Sequence, residues 1–287
     1  MTPDGFELHA ISGATRLAAV IGSPVRHSLS PALHNAGFAA LGVDWRYVAF
    51  EVAPGEAVRA LDAMRSLGIG GLSVTMPHKE AIADAVDDLD PAAAALQSVN
   101  TVVAVGDGRL RGHSTDGAGF VASLREAAVD PAGLRVGVIG AGAAARSVID
   151  ALARAEAASV VVVNRSAERA AQAAALAGDR GATAAADQLG ECDLVVNATS
   201  VGMGADELPL DPSLLREGQV VADLVYHPLD TALLRAARAI GARTVDGLGM
   251  LVHQAALQQE LWLGVRPDPD VMRAAAVREL AARARVA

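Results

Sequence analysis

The chain of 287 residues is poor in several of the groups that usually carry protein chemistry. It has one cysteine, Cys192, so an intrachain disulfide is excluded and a reducing cytoplasm is the expected compartment. Aromatic residues make up 3% of the sequence, which leaves Ala, Val and Leu to build the core. Seven histidines are scattered without HExxH or paired Cys/His spacing, so no metal site is expected. No apolar run approaches the roughly 18–20 residues that span a bilayer. The first ten residues lack the basic flank and apolar stretch of a secretory leader. A net charge of -9 argues against nucleic acid or an anionic membrane as partner, but it leaves room for a local arginine pocket that holds a small anion. The expected partner is a small molecule, and the expected state is monomer or homodimer.

The scarcest residue is lysine. Of 24 basic residues, all are arginine except Lys79. Arginine replaces lysine wherever only positive charge is wanted. It does not replace lysine where a proton must come and go, because the guanidinium stays charged while an ammonium can shift toward neutrality. Lys79 is therefore a candidate for proton chemistry.

What is present reads as an alternation of strands and helices. RLAAVIG (16–22), WRYVAFEV (45–52) and IGGLSVT (69–75) read as short buried strands, and helical stretches follow at 30–42 and 55–68. This predicts an α/β domain with a mostly parallel sheet. In 100–116, two strand-like runs flank Gly106-Asp107-Gly108, a hairpin signal. A helical run follows at 117–129. Strand, glycine turn, Ala-rich helix and strand then occupy 134–166, with later strands at 192–200 and 219–226 and helices from Gly247 onward. The Ala-rich piece 170–178 has ordinary helical propensity.

Gly140, Gly142 and Ala145 fit G-x-G-x-x-G/A between a strand and a helix. Gly140 allows the tight turn, and Gly142 lets the backbone approach a pyrophosphate at the helix N-terminus. At the end of the next strand an NAD site usually carries Asp or Glu for the ribose. Here stand Asn164, Arg165 and Ser166, with Arg169 one turn on. Guanidinium forks suit a phosphate, so NADP is favoured over NAD.

Ser28 and Ser30 precede a helix, and both hydroxyls could bind a polyol or a carboxylate. Either could instead cap the helix, with Pro31 at its first position. Thr75, Lys79, Asn100 and Asp116 fall at the ends of expected strands, where ligands of open α/β sheets gather. Asp116 could equally cap the helix that follows it. Tyr226 and Gln254 lie in two further motifs, VYHPLDT and GMLVHQAA. His113, next to Ser114, reads as structural or as a pocket residue.

The ordered set HSxSP, VTxPxK, NTV, TDGxG, GxGxxA, NRS, NATSxG, DxxYxPxxT and GxxMLxxQ resembles the shikimate dehydrogenase family from about Ala18 to Gly264. The resemblance implies a substrate-binding domain (1–116 with 247–287) and a Rossmann-type NADP domain (117–246). It implies substrate ligands at Ser28, Ser30, Thr75, Lys79, Asn100, Asp116, Tyr226 and Gln254. Cofactor contacts would fall on Gly140, Ala141, Gly142, Ala143, Ala144, Asn164, Arg165, Ser166, Arg169, Leu224 and Gly247, and 197–203 would serve the nicotinamide half. The implied reaction is reversible, NADPH-dependent reduction of 3-dehydroshikimate to shikimate. Lys79 would act as proton donor and Asp116 would bind the substrate hydroxyl and tune the amine. Ser73 and Ser114 stand where the family pattern commonly has Asn, Gln97-Ser98 stand where Gly-Ala is common, and NRS replaces NRT. Competing readings are a quinate or aminoshikimate dehydrogenase on the same fold, and a non-catalytic sensor of the metabolite. A folate-linked dehydrogenase leaves the motifs around Ser28 and Gln254 unexplained.

Overall fold

The computed structural model describes residues 10–285, which fall into two units, 10–115 with 254–285 and 116–253. Of the segment read above for a leader, residues 1–9 lie outside the described residues.

The first unit opens with β1 (Arg16–Gly22), α1 (Ser30–Ala40), β2 (Trp45–Glu51), α2 (Ala57–Leu67) and β3 (Gly71–Val74), as the apolar runs predict. There follow α3 (Lys79–Ala85), β4 (Asp88–Leu89), α4 (Pro91–Leu96), β5 (Thr101–Ala104) and β6 (Leu110–His113). The ends of these elements obey local chemistry. Gly68 takes the left-handed conformation that closes α2, its N–H returning to Met64 O. Asp90 caps α4, accepting from Ala93 N, with Pro91 in the first turn. The Gly106–Gly108 turn joins β5 and β6 as an antiparallel hairpin, with Asp107 also at positive φ.

The strands form one six-stranded sheet in the order β2-β1-β3-β5-β6-β4. Pairs β1–β2, β1–β3 and β4–β6 are parallel, while β5 runs antiparallel to both neighbours. β1 and β3 are central and covered on both faces, which is why they read as continuous apolar runs. One face packs Leu61, Met64 and Ile82 against Ala19, Ile21 and Leu72, and the other gathers Phe38, Trp45, Tyr47 and Trp262.

The second unit contains α5 (Asp116–Glu126), β7 (Arg135–Ile139), α6 (Ala143–Arg154), β8 (Ser159–Val163) and α7 (Ala167–Ala174). It continues with β9 (Gly181–Thr183), β10 (Leu194–Asn197), β11 (Val220–Asp223), α8 (Ala232–Ala239) and β12 (Arg243–Val245). Its six strands are all parallel, in the order β12-β11-β10-β7-β8-β9. This is the doubly wound order, and it reverses between β7 and β10. Val136, Val138, Val160 and Val162 point to the face covered by α5, α6 and α7. Ile139, Val195 and Val221 point to the face covered by α8. The Ala-rich piece at 170–178 is helical only in part. It tightens to a 3-10 turn from Ala175, and Gly178 leaves the helix at positive φ so that the chain can pair β9 with β8.

The chain ends with α9 (Gly247–Leu263) and α10 (Pro269–Ala284). The boundary between units falls at Gln254, inside α9, rather than at Gly247. The reason is local. Gly247 lies so close to the carbonyls of Leu224 and Val225 that a Cβ would overlap them, and His253 pairs with Glu126. In the first unit, Trp262 lies flat on Gly71, where any Cβ would collide with the indole, and its Nε1 donates to Val102 O at 3.1 Å.

Candidate functional site

In the first unit the C-terminal ends of β1 and β3 and the N-terminal end of β5 are laced together. Thr75 N donates to Ile21 O at 2.9 Å, Ser23 N to Met76 O at 3.0 Å, and Val74 N to Asn100 O at 2.8 Å. Thr75 and Asn100 sit at strand ends as expected, but Lys79 does not. It is the first residue of α3, one tight turn beyond β3. That turn is fixed from both sides. His78, 2% exposed, bonds Val52 O through Nε2 at 2.8 Å, and Lys79 O accepts from Val99 N at 3.0 Å. The half-buried Lys79 side chain therefore leaves from a pinned backbone.

Asn100, next to Val99, is buried and its amide has one orientation. Thr115 N donates to Oδ1 at 2.9 Å, and a backbone N–H can only donate, so the oxygen is assigned without ambiguity. Thr101 Oγ1 adds a second donor at 2.8 Å, and Nδ2 donates to Thr115 Oγ1 at 2.9 Å. The amide oxygen of Asn100 is thus engaged by Thr115 and Thr101. Consecutive residues Val99 and Asn100 thus hold the base of Lys79 and Thr115.

The capping role open to Ser30 is not realised. It is the first residue of α1, the N-cap is Leu29, and no side chain caps that end. Ser28 Oγ accepts from Ser30 N at 3.1 Å, and Tyr47 donates from its hydroxyl to Ser73 Oγ at 2.7 Å. Arg283 of α10 straps this loop, donating to His27 O and, at 3.2 Å, to Ser28 O. Gln254 is buried in the same unit. His113 takes the structural alternative, bonding Asp90 at 3.1 Å. Burial alone would raise the Asp90 carboxyl, but His113 and Ala93 N outweigh it and hold it low.

Asp116 lies at the start of the second unit, as the first residue of α5. A carboxylate is favoured at that end of a helix by the dipole. The glycine turn of this unit lies where the strand order reverses. Gly140 has φ +115, a conformation open to glycine, and packs against Ala198 and Thr199 at the end of β10. At Gly142 a Cβ would meet nothing within 4 Å, so the space in front of it is open. α6 has no side-chain cap and no acid in its first turn, so its first N–H groups and positive end face that space. Ala141, Ala143 and Ala144 flank it with small side chains.

Asn164 follows β8 directly and ties the turn through Nδ2 to Ser166 O at 3.0 Å, while Ser166 caps α7. Arg165 and Arg169 are exposed, and among the described residues no carboxylate pairs with either. Two guanidinium groups at this turn, with no acid, fit a phosphate on the ribose. Leu224 and Gly247 meet through the backbone contact described above. Tyr226 is half-buried on the loop after β11.

Sequence reasoning missed what holds these loops. Asn197 donates to Asp223 Oδ1 at 2.9 Å and accepts from Thr199 Oγ1 at 2.7 Å, and Thr231 donates to Asp223 Oδ2 at 2.7 Å. Burial, stronger than these bonds, raises the Asp223 carboxyl. Asn197, Asp223 and Thr231 therefore shape the segments that carry 197–203 and Tyr226. Also missed were Tyr47 and Gln258. Gln258 could have been found, because it lies one helical turn from Gln254 on the same face.

Models of three protein families match the chain. The "Shikimate dehydrogenase substrate binding domain" covers 20–102, "Shikimate / quinate 5-dehydrogenase" covers 124–203, and the "Shikimate 5'-dehydrogenase C-terminal domain" covers 247–277. The chain is 46% identical over 274 residues to shikimate dehydrogenase (NADP(+)) of Moorella thermoacetica, covering 91% of this chain and 92% of that protein. It is similar to the structure of shikimate 5-dehydrogenase from Thermus thermophilus in complex with NADP(H) and shikimate, with TM-score 0.87, 38% identity, and coverage of 92% and 99% of the two chains. A quinate dehydrogenase from Corynebacterium glutamicum in complex with NAD also matches, with TM-score 0.86, 32% identity, and coverage of 92% and 99%.

Proposed function

The chain belongs to the shikimate dehydrogenase family, and from that premise we propose which of its residues perform the reaction. The activity is the reversible, NADP-dependent interconversion of 3-dehydroshikimate and shikimate, an oxidoreductase reaction at a CH–OH group.

The glycine turn and the two arginines suit the dinucleotide. Gly140 to Ala144 would cradle the pyrophosphate on the N-terminus of α6. Asn164, Arg165, Ser166 and Arg169 would hold the 2′-phosphate, and Leu224 and Gly247 would line the rest. When bound, NADPH supplies the hydride.

The protein's own part is to bind, orient and move one proton. Ser28 and Ser30 bind the substrate carboxylate. Thr75, Asn100, Tyr226 and Gln254 bind its hydroxyls, Asn100 as a donor. Lys79 gives its proton to the alkoxide forming at the carbonyl oxygen and takes it back in the reverse direction. Asp116 accepts from a neighbouring hydroxyl of the substrate and fixes its position. The ammonium is matched in charge to the alkoxide, and general acid catalysis of this kind contributes about 10²–10⁴-fold. The observation that carries the assignment is the placing of the sole lysine on a pinned helix start, whose carbonyl is bonded to the residue before the buried, oriented Asn100.

The quinate and NAD specificity of one relative is the alternative on the same fold. The exposed, unpaired Arg165 and Arg169 favour NADP. A reducing cytoplasm suits the single, buried Cys192, whose thiol burial pushes up. The test is a steady-state panel of shikimate, quinate and aminoshikimate, each with NADP and with NAD. Highest kcat/KM for shikimate with NADP is expected. A higher value for quinate, or for NAD, would overturn the specificity, and binding without turnover would overturn the catalytic reading.

A further inference from the structure

The loop that carries Ser28 from β1 into α1 is anchored in the core at two points, Val25 and Leu29, which are 2% and 1% exposed. Between them Arg26 and His27 are exposed and Ser28 is half-buried, so burial does not fix the main chain there. One bond spans the gap from within, from Ser28 N to Val25 O at 2.9 Å. Arg26 pairs with Glu51 at 3.0 Å, but its side chain is 90% exposed, and an ion pair so open to water contributes little.

The remaining tie comes from the last turn of α10, in the same unit. Arg283 donates through one amino group to His27 O at 2.6 Å and through the other to Ser28 O at 3.2 Å. Its Nε donates to Glu279 Oε1 at 2.8 Å, one turn earlier on the helix. Glu279 thereby aims the fork at the loop. A planar guanidinium spans two successive carbonyls in a way that a single ammonium does not. Among the described residues, no other hydrogen bond reaches the main chain of 26–28 from outside the loop. The helix that carries the fork is itself firmly seated, because Met272 and Ala276 are fully buried.

What the strap secures is the Ser28 hydroxyl. Ser28 Oγ accepts from Ser30 N, and a backbone N–H only donates, so the serine keeps its own proton to give. Among the described residues that proton has no acceptor, which leaves it available to a ligand. The place of this O–H depends on the backbone at 27 and 28, the two residues whose carbonyls Arg283 holds.

We propose that Arg283 is a positioning residue for substrate binding: its fork holds the main chain at His27 and Ser28, so that the Ser28 hydroxyl is in place before the carboxylate arrives. Without the fork, the ligand has to order the loop as it binds, and affinity falls by that cost. The chemical step is untouched, because Lys79 stands on α3 and is pinned separately through His78 and Val99. The guanidinium charge also attracts the carboxylate, but Glu279 beside it offsets that attraction, so the fork rather than the charge is the source of the effect. The inference rests on the assignment of Ser28 to the substrate carboxylate.

The test is steady-state oxidation of shikimate and of its methyl ester with NADP. Arg283→Ala should raise KM for shikimate about tenfold, with kcat and KM for NADP within about twofold of the wild type. KM for the ester, which offers Ser28 a neutral acceptor, should rise less than about threefold. Arg283→Lys keeps the charge but not the fork, and should still raise KM for shikimate at least about threefold. Met272→Ala opens a cavity under α10 about three turns before Arg283. It should lower the melting temperature and leave KM for shikimate within about twofold, a split that separates the strap from stability of the helix. An unchanged KM in Arg283→Ala, an equal rise for acid and ester, wild-type behaviour of Arg283→Lys, or a KM in Met272→Ala as high as in Arg283→Ala would overturn the proposal. Ser28→Ala separates it from the parent assignment. If Ser28→Ala leaves KM for shikimate unchanged, Ser28 does not bind the carboxylate, and both readings fall. If it raises KM, but Arg283→Ala adds its full effect in the Ser28→Ala background, the strap alone is refuted.

Discussion

Lowering the pH should destabilise the first unit through one buried ring, and replacing His34 should remove that sensitivity. His34 is 0% exposed, stacked on Tyr47 with ring centroids 4.1 Å apart, and 5.2 Å from the Trp262 ring. Desolvation, only partly offset by the bond to Gln258, lowers its pKa from 6.5 to about 3. The folded pKa is thus below the unfolded one. In the unfolded chain the ring takes up a proton as pH falls below 6.5, while in the fold it stays neutral until about 3. The stability from neutral burial is complete above the unfolded pKa and is lost progressively across this window. At about pH 5, roughly one and a half pKa units into it, the loss is about 2 kcal/mol. The assay is urea unfolding followed by tryptophan fluorescence at about pH 7.5 and about pH 5 for the wild type and His34→Gln. Trp45 and Trp262, the two tryptophans of the chain, both lie in the core of the His34 unit, so the signal reports that unit. The wild type should lose about 2 kcal/mol more than the variant between the two pH values, whatever their absolute stabilities. Equal losses would refute neutral burial of the ring.

Two further predictions concern the dinucleotide. Arg165→Ala should raise KM for NADP at least about tenfold and leave KM for NAD nearly unchanged, since a charge-assisted bond to the 2′-phosphate contributes about 1.5–3 kcal/mol. Equal changes for both nucleotides would refute the phosphate assignment. Gly142→Val should raise KM for NADP at least about tenfold by filling the space needed by the pyrophosphate. Its melting temperature should stay within a few degrees of the wild type, because the new Cβ meets no atom within 4 Å.

Much of the fold was legible because its strands are apolar runs of fixed period. The three first strands, the hairpin at Gly106–Gly108 and the strand–turn–helix at Gly140 all lie where the sequence puts them. Four of the six parallel strands of the second unit, β7, β8, β10 and β11, lie in apolar runs read from the sequence, whereas β9 and β12, three residues each, are too short to stand out. The antiparallel direction of β5 was not legible beyond its hairpin with β6, because its pairing with β3 is a contact distant in sequence. Nor was the start of α3 at Lys79. VTMPHK carries no cap, and the turn is held by bonds to Val52 and Val99, far along the chain.

The candidate site shows the same division. Residues whose chemistry is rare in this chain, such as Lys79, or out of pattern, such as Arg165 without an acid, announce themselves. Residues that act through others do not. Tyr47 reads as core because it lies in an apolar strand, and Thr115 and Asp223 read as loop and strand-end polar groups. Their partners Asn100, Asn197 and Thr231 come from other elements. Ser73 was marked by its departure from the family pattern, but only the geometry shows that its hydroxyl joins Tyr47 to Gln258.

The central claim is that the chain's one lysine moves the proton, and Lys79→Arg tests it most directly. The variant keeps the positive charge but not an amine that can give up its proton, so kcat for shikimate oxidation with NADP should fall by about 10²–10⁴-fold while KM for shikimate changes much less. Retention of more than about a tenth of the wild-type kcat would contradict the account.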